Sequence, residues 1–473
     1  IRSFAKKYGS NEFTATDYAN YLRKSITQVR QMLMRMSVLG FIFYDVNTEI
    51  VNIKPKLENY LAASVNKVDF DVIGFPSRTK APLENAVFDL RNYDLKINGI
   101  PQIFVSDSQN VVFFPKEERI TLKRNRNFHF DGTVIAGLFK FYGNNFFFNY
   151  DSFKINLQKV DLLAIQYLTG ERDNYGIALI DDIDNDIQHI TGEVLIDKPD
   201  NKSGRINYSE YPIFKSNENS FVYYEREDIQ NGVYEQDDFY FKVYPFIIDS
   251  LDNFNKKALK FDGEFHSADI FPSFEQTISL QQDKSLGFYH LTPEEGLPLY
   301  GGKGGFKNEI HLSNDGLRGK GIISYLSSTA ISDDILFYPD SLNAYARDFT
   351  LAKETTGTEF PWVKSSNSYI HWLPYSDEFF IHKGETDFKM FNDSTTLSGS
   401  LKLEPTGLSG LGRMDLKNSE LKSDLFTYKS NEIMADTADF LLKSLHTDDF
   451  TVLTDNVNAH IDYDSRKGFF NSN

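Results

Sequence analysis

Four carboxylates, Asp182, Asp184, Asp186 and Glu193, fall at the first, third, fifth and twelfth positions of a loop spaced like the calcium loop of an EF-hand. Hard cations take that density of oxygen ligands. The sixth position, however, is Ile187, where such a loop needs glycine for its sharp turn, and the ninth is Ile190. The isoleucine spacing fits a buried face with solvated aspartates opposite. Calcium at this set is the one cofactor expectation the sequence raises; otherwise none is expected.

Gly316-Leu-Arg-Gly-Lys-Gly321 has the glycine density of a phosphate cradle. That chemistry needs the glycines between a strand and a helix N-terminus, so that backbone N–H groups point at the anion. Here Ile322–Leu326 read as strand, which predicts turn or bulge glycines that let backbones approach. Gly301–Gly305 lacks the Gly-Lys-Ser/Thr ending of a phosphate loop. Nine histidines stand singly, without His-Glu-x-x-His or His-x-His spacing, and only His189 lies beside the acidic set. The chain has no cysteine, which excludes disulfides, thiolate nucleophiles and cysteine-ligated metals. No nucleophile elbow or kinase signature occurs. A glycosidase-type carboxylate pair is spaced by the fold and leaves no trace in a string, so it stays open among 67 acidic residues.

Nucleic-acid chemistry has one candidate carrier. Residues 1–60 hold nine basic and five acidic side chains, a net of +4, which leaves −21 for the remainder of a chain whose net is −17. Ala15–Arg23 and Ser25–Leu39 read as two helices joined by a tight turn. Ser25 with Gln28 forms a capping box, and Gly40 sits where a C-terminal cap is expected. Val29, Met32, Leu33 and Met36 share one helical face. Phe41–Tyr44 and Glu49–Ile53 then read as a hairpin, with Glu12-Phe13-Thr14 a short strand ahead of the helices. This order resembles a winged-helix domain with its first helix cut to Ser3–Tyr8. The resemblance implies a second helix offering Gln28, Arg30, Gln31 and Arg35, with Lys24 near its start, to DNA or to a protein partner.

The elements that follow are of another kind. From about Val68 the period becomes two, in segments rich in Phe, Ile and Val: Gln102–Phe114, Arg119–Arg124, Thr133–Tyr142, Asn145–Tyr150 and Ser152–Leu157. Asp131-Gly132 and Gly143-Asn144 read as turns. Thr133–Tyr142 carries apolar residues on both faces, Ile135, Phe139 and Phe141 against Val134, Leu138 and Tyr142, as a doubly covered strand would. Leu162–Leu168 and Ile177–Ile190 read as helical, and Phe239–Ile248 as strand. With 42 Phe and 26 Tyr, a large core is available. The acidic net charge repels phosphate backbones and weighs against nucleic acid as the main partner.

Gly316–Leu351 and Gly407–Leu442 are one passage written twice, 91 positions apart without a gap. Both copies keep Gly-Leu-x-Gly-x-Gly, a Ser-Asp, and an Ala four residues before Asp-Phe-x-Leu. Such a register marks stacked structural units, each burying a face against the next. The expected architecture is mainly β: elongated stacked sheets, as a β-solenoid or successive sandwiches, behind a small N-terminal winged-helix-like α+β unit. The expected segments are a winged-helix-like unit at 1–62, a β domain at 63–160, an irregular mixed region at 161–256, and β repeat units at 257–355 and 356–473. Glycine-punctuated, Phe/Tyr-rich repeats of this style resemble those of large uncharacterised β-proteins of the Gram-negative cell envelope. That resemblance implies a periplasmic, outer-membrane-associated or surface location and a protein or polysaccharide partner. No apolar stretch is long enough to span a bilayer as a helix. The chain opens on Ile1 rather than Met and reads as a piece of something longer. The leading expectation is a non-catalytic scaffold or binding protein. A carbohydrate-active enzyme using a carboxylate pair and a DNA-binding regulator are the alternatives.

Overall fold

A computed structural model describes residues 1–473 except 67–68, 70–72, 174, 444–451 and 473. The protein is mainly β, with its helices near the N-terminus. It divides into two compact units. The first comprises Ile1–Asp181, Gln188–Asn219 and Pro245–Asn255; the second comprises Asp182–Ile187, Ser220–Tyr244 and Lys256–Asn473.

The chain begins α1 (Arg2–Tyr8), β1 (Glu12–Thr14), α2 (Ala15–Leu22), α3 (Ile26–Val38), β2 (Ile42–Tyr44), β3 (Ile50–Ile53), the order expected from sequence. The three strands pair in the order β1-β3-β2. The Ser25 hydroxyl accepts from the Gln28 N–H and starts α3, and Gly40, with φ 72°, ends it. Val29 and Leu33 are fully buried against Phe4, Phe13, Tyr18 and Ile42, with Met32 and Met36 packed at the margin. Asp45 accepts from the Asn47 and Thr48 N–H groups and closes the hairpin. A further helix, α4 (Pro55–Asn66), not among the expected elements, follows the hairpin.

In the β part of the first unit, Phe128–Ala136 and Phe139–Asn149 form a hairpin, and the second of these pairs with the long strand Lys154–Arg172. Three sequence expectations change here. Thr133–Tyr142 is not one strand: it turns at Gly137, where a Cβ would stand 2.4 Å from the Leu251 carbonyl oxygen. The turn restarts the alternation, so Val134, Ala136, Phe139 and Phe141 all face inward while Tyr142 is exposed. One face is buried, not two. Asp131-Gly132 and Gly143-Asn144 are not turns but an in-strand irregularity where Gly143 opposes Gly132. Finally, Leu162–Leu168 lies in a strand, and Ile177–Ile190 holds the strand Ala178–Asp182 and the start of Ile187–Leu195. Leu163, Ile165 and Tyr167 are buried at every second residue, a period a helix cannot satisfy.

The second unit shows how far the duplication reaches. Its first copy has seven strands: Leu286–Leu291, Leu297–Leu299, Gly304–Ser313, Gly316–Tyr325, Ser328–Phe337, Leu342–Leu351 and Val363–Leu373. The second copy has Glu378–His382, Phe388–Met390, Thr395–Glu404, Gly407–Asp415, Ser419–Tyr428, Glu432–Leu442 and Val452–Asp462. Pairings coincide at the 91-residue offset: Phe288 opposite Leu312 becomes Phe379 opposite Leu403, and Leu317 opposite Phe337 becomes Leu408 opposite Tyr428. Asn343 opposite His371 becomes Met434 opposite His460, two residues short of that offset for the seventh strand. Eleven residues separate Leu351 from Val363 in one copy, and nine separate Leu442 from Val452 in the other. The two matched stretches do not pair directly; the seventh strand and the next three stand between them in one antiparallel ladder.

The repeated glycines and serine make the same irregularity twice. The register shifts between Gly319 and Gly321, and again between Gly410 and Gly412. A Cβ at Gly319 would meet the Phe337 ring at 2.7 Å, and one at Gly321 the Lys307 carbonyl oxygen at 2.0 Å. Ser332 and Ser423, both buried, donate to the carbonyls of Asp334 and Leu425, whose neighbouring strand has slipped out of register. These are the bulge glycines predicted from sequence.

Inward faces close on one another. The buried Trp372 ring lies 5.4 Å from Tyr300 and 5.0 Å from Tyr325, and a Cβ on Gly304 would come within 2.6 Å of it. In the second copy Thr395 stands at the place of Gly304, and the ring beside it is Tyr463, two residues beyond Ile461, the ladder equivalent of Trp372; the Thr395 and Tyr463 hydroxyls share a hydrogen bond. Glycine faces the larger ring, and threonine the smaller. Gly304→Thr alone is expected to cost about 1–3 kcal/mol by overpacking. Gly304→Thr combined with Trp372→Tyr should recover much of the loss. Urea denaturation of the single and double variants checks this, and additive losses would refute the exchange.

Candidate functional site

Gln28, Gln31 and Arg35 form one exposed stripe along α3, and the exposed Lys24 lies just ahead of the helix. Arg30 leaves this set: it points to the hairpin and pairs with Glu49. Met34 and Val38 are exposed beside the stripe, so the outward face of α3 is part basic and part apolar.

The acidic set is divided among partners. Asp182 ends its strand. The Arg226 guanidinium donates to the Asp184 carbonyl, and Asp184 donates its own N–H to the Lys284 carbonyl. Burial raises the Asp186 carboxyl above its ordinary range, with Arg226 opposing. Glu193 sits on the next strand, 2.6 Å from the Lys154 ammonium. Ile183, Ile187 and Ile190 are buried, as the alternating spacing suggested. Among the described residues, no group of three or more His, Asp or Glu side chains is arranged to hold a metal ion.

Seven of the nine histidines lie beside an aromatic ring. His311 stacks on Tyr289 with centroids 4.0 Å apart and rings 8° from parallel, His290 on Phe274 at 4.1 Å, and His129 on Phe147 at 4.5 Å. His266 lies 4.6 Å from Tyr240. His371, His382 and His460 stand farther from Phe380, Tyr369 and Phe469, at 5.9–6.3 Å. All but His290 face their partner directly across a strand pair. These imidazoles are packing groups of the sheet.

Asp237, Asp238 and Asp269 line a cleft of about 490 Å³ together with His266, Tyr240 and Tyr375. The strands Phe239–Val243 and Lys260–Ser267 set Tyr240 opposite His266. The chain then turns through Ala268 and Asp269, both at positive φ of 52° and 58°. An alanine holds that conformation only where its surroundings impose it. Here the Ala268 N–H donates to the Asp238 carbonyl, and the Ser267 hydroxyl accepts from the Phe271 N–H and donates to its carbonyl. His266 Nε2 stands 3.3 Å from the Glu264 carboxylate. Burial raises the Tyr375 phenol, with Asp269 and Asp340 adding to the rise. Phenols beside carboxylate acceptors suit a hydroxyl-rich ligand. No spacing in the sequence announces this cleft, because its residues come from four separate segments between Asp237 and Tyr375.

No family model matches the chain. No curated protein and no solved structure matches it either.

Burial holds His129, His290 and His311 below the ordinary imidazole value of 6.5. For His311 the nearby Asp283, Glu309 and Asp315 oppose the shift. The unfolded chain therefore binds more protons, and the stability these groups contribute is complete above 6.5 and is lost as pH falls toward their folded values. The melting temperature should drop between pH 7.5 and 5.5, and less steeply in His290→Gln, whose depression has burial as its cause. Identical pH slopes in the variant and the parent would refute the assignment.

Proposed function

We propose that this protein is a non-catalytic scaffold or binding protein of the cell envelope or surface, with a protein or polysaccharide as partner. The observation that carries the reading is that the seven-strand unit repeats its interior and changes its exterior. Inward positions keep apolar bulk between copies: Phe306 and Leu397, Ile310 and Leu401, Leu317 and Leu408, Ile335 and Phe426 are all buried. Outward positions on the same strands change character: Lys307 becomes Ser398, Lys320 becomes Leu411, Ile322 becomes Arg413, and Ile331 becomes Lys422. A chain that copies its core and rewrites its surface supplies a frame on which different contacts are displayed.

A second reading, a carbohydrate-active enzyme, draws on the cleft where Asp237, Asp238 and Asp269 meet Tyr240 and Tyr375. One experiment separates the two. Purified protein incubated with envelope fragments and envelope polysaccharide is expected to sediment with them and to release no reducing ends. Absence of retention would refute the scaffold reading. Release of reducing ends that Asp269→Asn or Asp237→Asn reduces by about a hundredfold or more would establish the enzyme instead.

A further inference from the structure

The outward face of the first seven-strand copy carries a cleft of about 550 Å³, within the range of about 300–1,000 Å³ that encloses small ligands. Its floor is aliphatic. Ile322 and Ile331 are cross-strand partners, and Leu291, 70% exposed, forms a wall. That wall is held in place: the Asn308 N–H donates to the Thr292 hydroxyl at 2.8 Å, and the Thr292 N–H returns a bond to the Asn308 carbonyl at 2.9 Å. Beside the floor, Asn308, at a positive φ of 114°, pairs with Gly321, where a Cβ would run into the Lys307 carbonyl.

The rim is basic in a chain whose net charge is −17. Lys307, Lys320 and Arg347 line the cleft against two carboxylates, Glu294 and Asp333. Asp333 is shared, 3.4 Å from the Lys320 ammonium and 3.0 Å from the Arg347 guanidinium. Lys307 is exposed, and its ammonium makes no ion pair or hydrogen bond among the described residues. An aliphatic floor beside an uncommitted cation calls for a ligand with a hydrocarbon chain and one negative end.

The second copy provides the comparison. The register shift between Gly319 and Gly321 recurs between Gly410 and Gly412, but the lining is rewritten. Ser398, Leu411 and Ala438 stand where the first copy has Lys307, Lys320 and Arg347, and Arg413 and Lys422 stand where it has Ile322 and Ile331. Apolar floor and basic rim are both gone, so this chemistry does not follow from the repeated fold and belongs to the first copy alone.

We propose that this cleft binds a free single-chain aliphatic carboxylate, its chain laid over Ile322, Ile331 and Leu291 and its carboxylate on Lys307. The proposal rests on the scaffold reading in taking the outward face as the working surface, and it names a ligand for that face. The test is titration calorimetry of the full chain with dodecanoate below its micelle concentration, near pH 7.5. Saturable binding with one site per chain is expected. Dodecyl maltoside, which has the same tail without the charge, should bind about tenfold more weakly or worse. Lys307→Ser should weaken dodecanoate by about tenfold. Ile322→Arg with Ile331→Lys should abolish binding while the melting temperature holds, because the second copy carries those side chains on the same backbone. No dodecanoate binding, equal affinity for the uncharged amphiphile, or binding indifferent to these variants would overturn the proposal. Binding to anionic phospholipid vesicles without binding to free dodecanoate would also overturn it, in favour of a membrane surface. Each such failure leaves the envelope-sedimentation result unaffected, so loss of the ligand and loss of the scaffold reading are told apart.

Discussion

A sheet that buries one face must find something apolar to lay it against, and in the second unit the partner is another part of the same sheet. Trp372 on the seventh strand reaches Tyr300 and Tyr325, which lie before and on the third and fourth strands, and the missing side chain of Gly304 makes room for the indole. Its N–H has no acceptor among the described residues, so the ring is held by shape and apolar contact alone. The second copy solves the same problem with the opposite distribution of volume. There a phenol sits against a threonine and gains a hydrogen bond, while Phe391 stacks on Tyr463 at 4.5 Å. Each copy fills its seam with one large ring, Trp372 from the seventh strand in the first and Tyr463 from just beyond that strand in the second. If this closure failed, the inward Phe, Ile and Leu of a dozen strands would face water.

With the interior settled, the outer face has few obligations. Its histidines lie on cross-strand rings, and its charges pair locally, as Arg318 does with Asp334 and Lys402 with Glu378. Such exposed pairs contribute little individually, about 0–1 kcal/mol, so they can be exchanged at small cost in stability. That tolerance is why one copy can hold an aliphatic cleft where the other has Arg413 and Lys422. The same freedom appears at Ala268 and Asp269, where two left-handed residues re-aim the chain over the acidic cleft without disturbing the Tyr240–His266 pair below.

Sequence made part of this visible. The Gly-Leu-x-Gly-x-Gly and Asp-Phe-x-Leu elements gave away the duplication because backbone crowding at Gly321 and Gly412 leaves room for no other residue type. The remaining strands of the unit stayed hidden. Phe288 and Phe379, Leu299 and Met390, Tyr300 and Phe391 match in apolar type but sit among unmatched surface residues, and identity cannot register a shared burial. The N-terminal unit was readable down to Ser25, Gly40 and Asp45 because local capping decides its boundaries. Leu162–Leu168 misled because a run of apolar residues fits both periods until burial separates Leu163, Ile165 and Tyr167 from their neighbours. Leu138 hid a turn by being apolar itself. Neither cleft was legible, since residues distant in the chain meet only through strand register: Asp237 with Tyr375, Leu291 with Arg347.

Between the sixth and seventh strands one copy spends two more residues than the other, and the ladder beyond resumes with equivalent partners, Trp372 with Phe379 and Ile461 with Gly468. Length at that connection is therefore decoupled from alignment downstream. A polypeptide built this way can be lengthened at 352–362 during evolution, or by a protein engineer grafting a foreign module, while every later hydrogen-bonded row keeps its place.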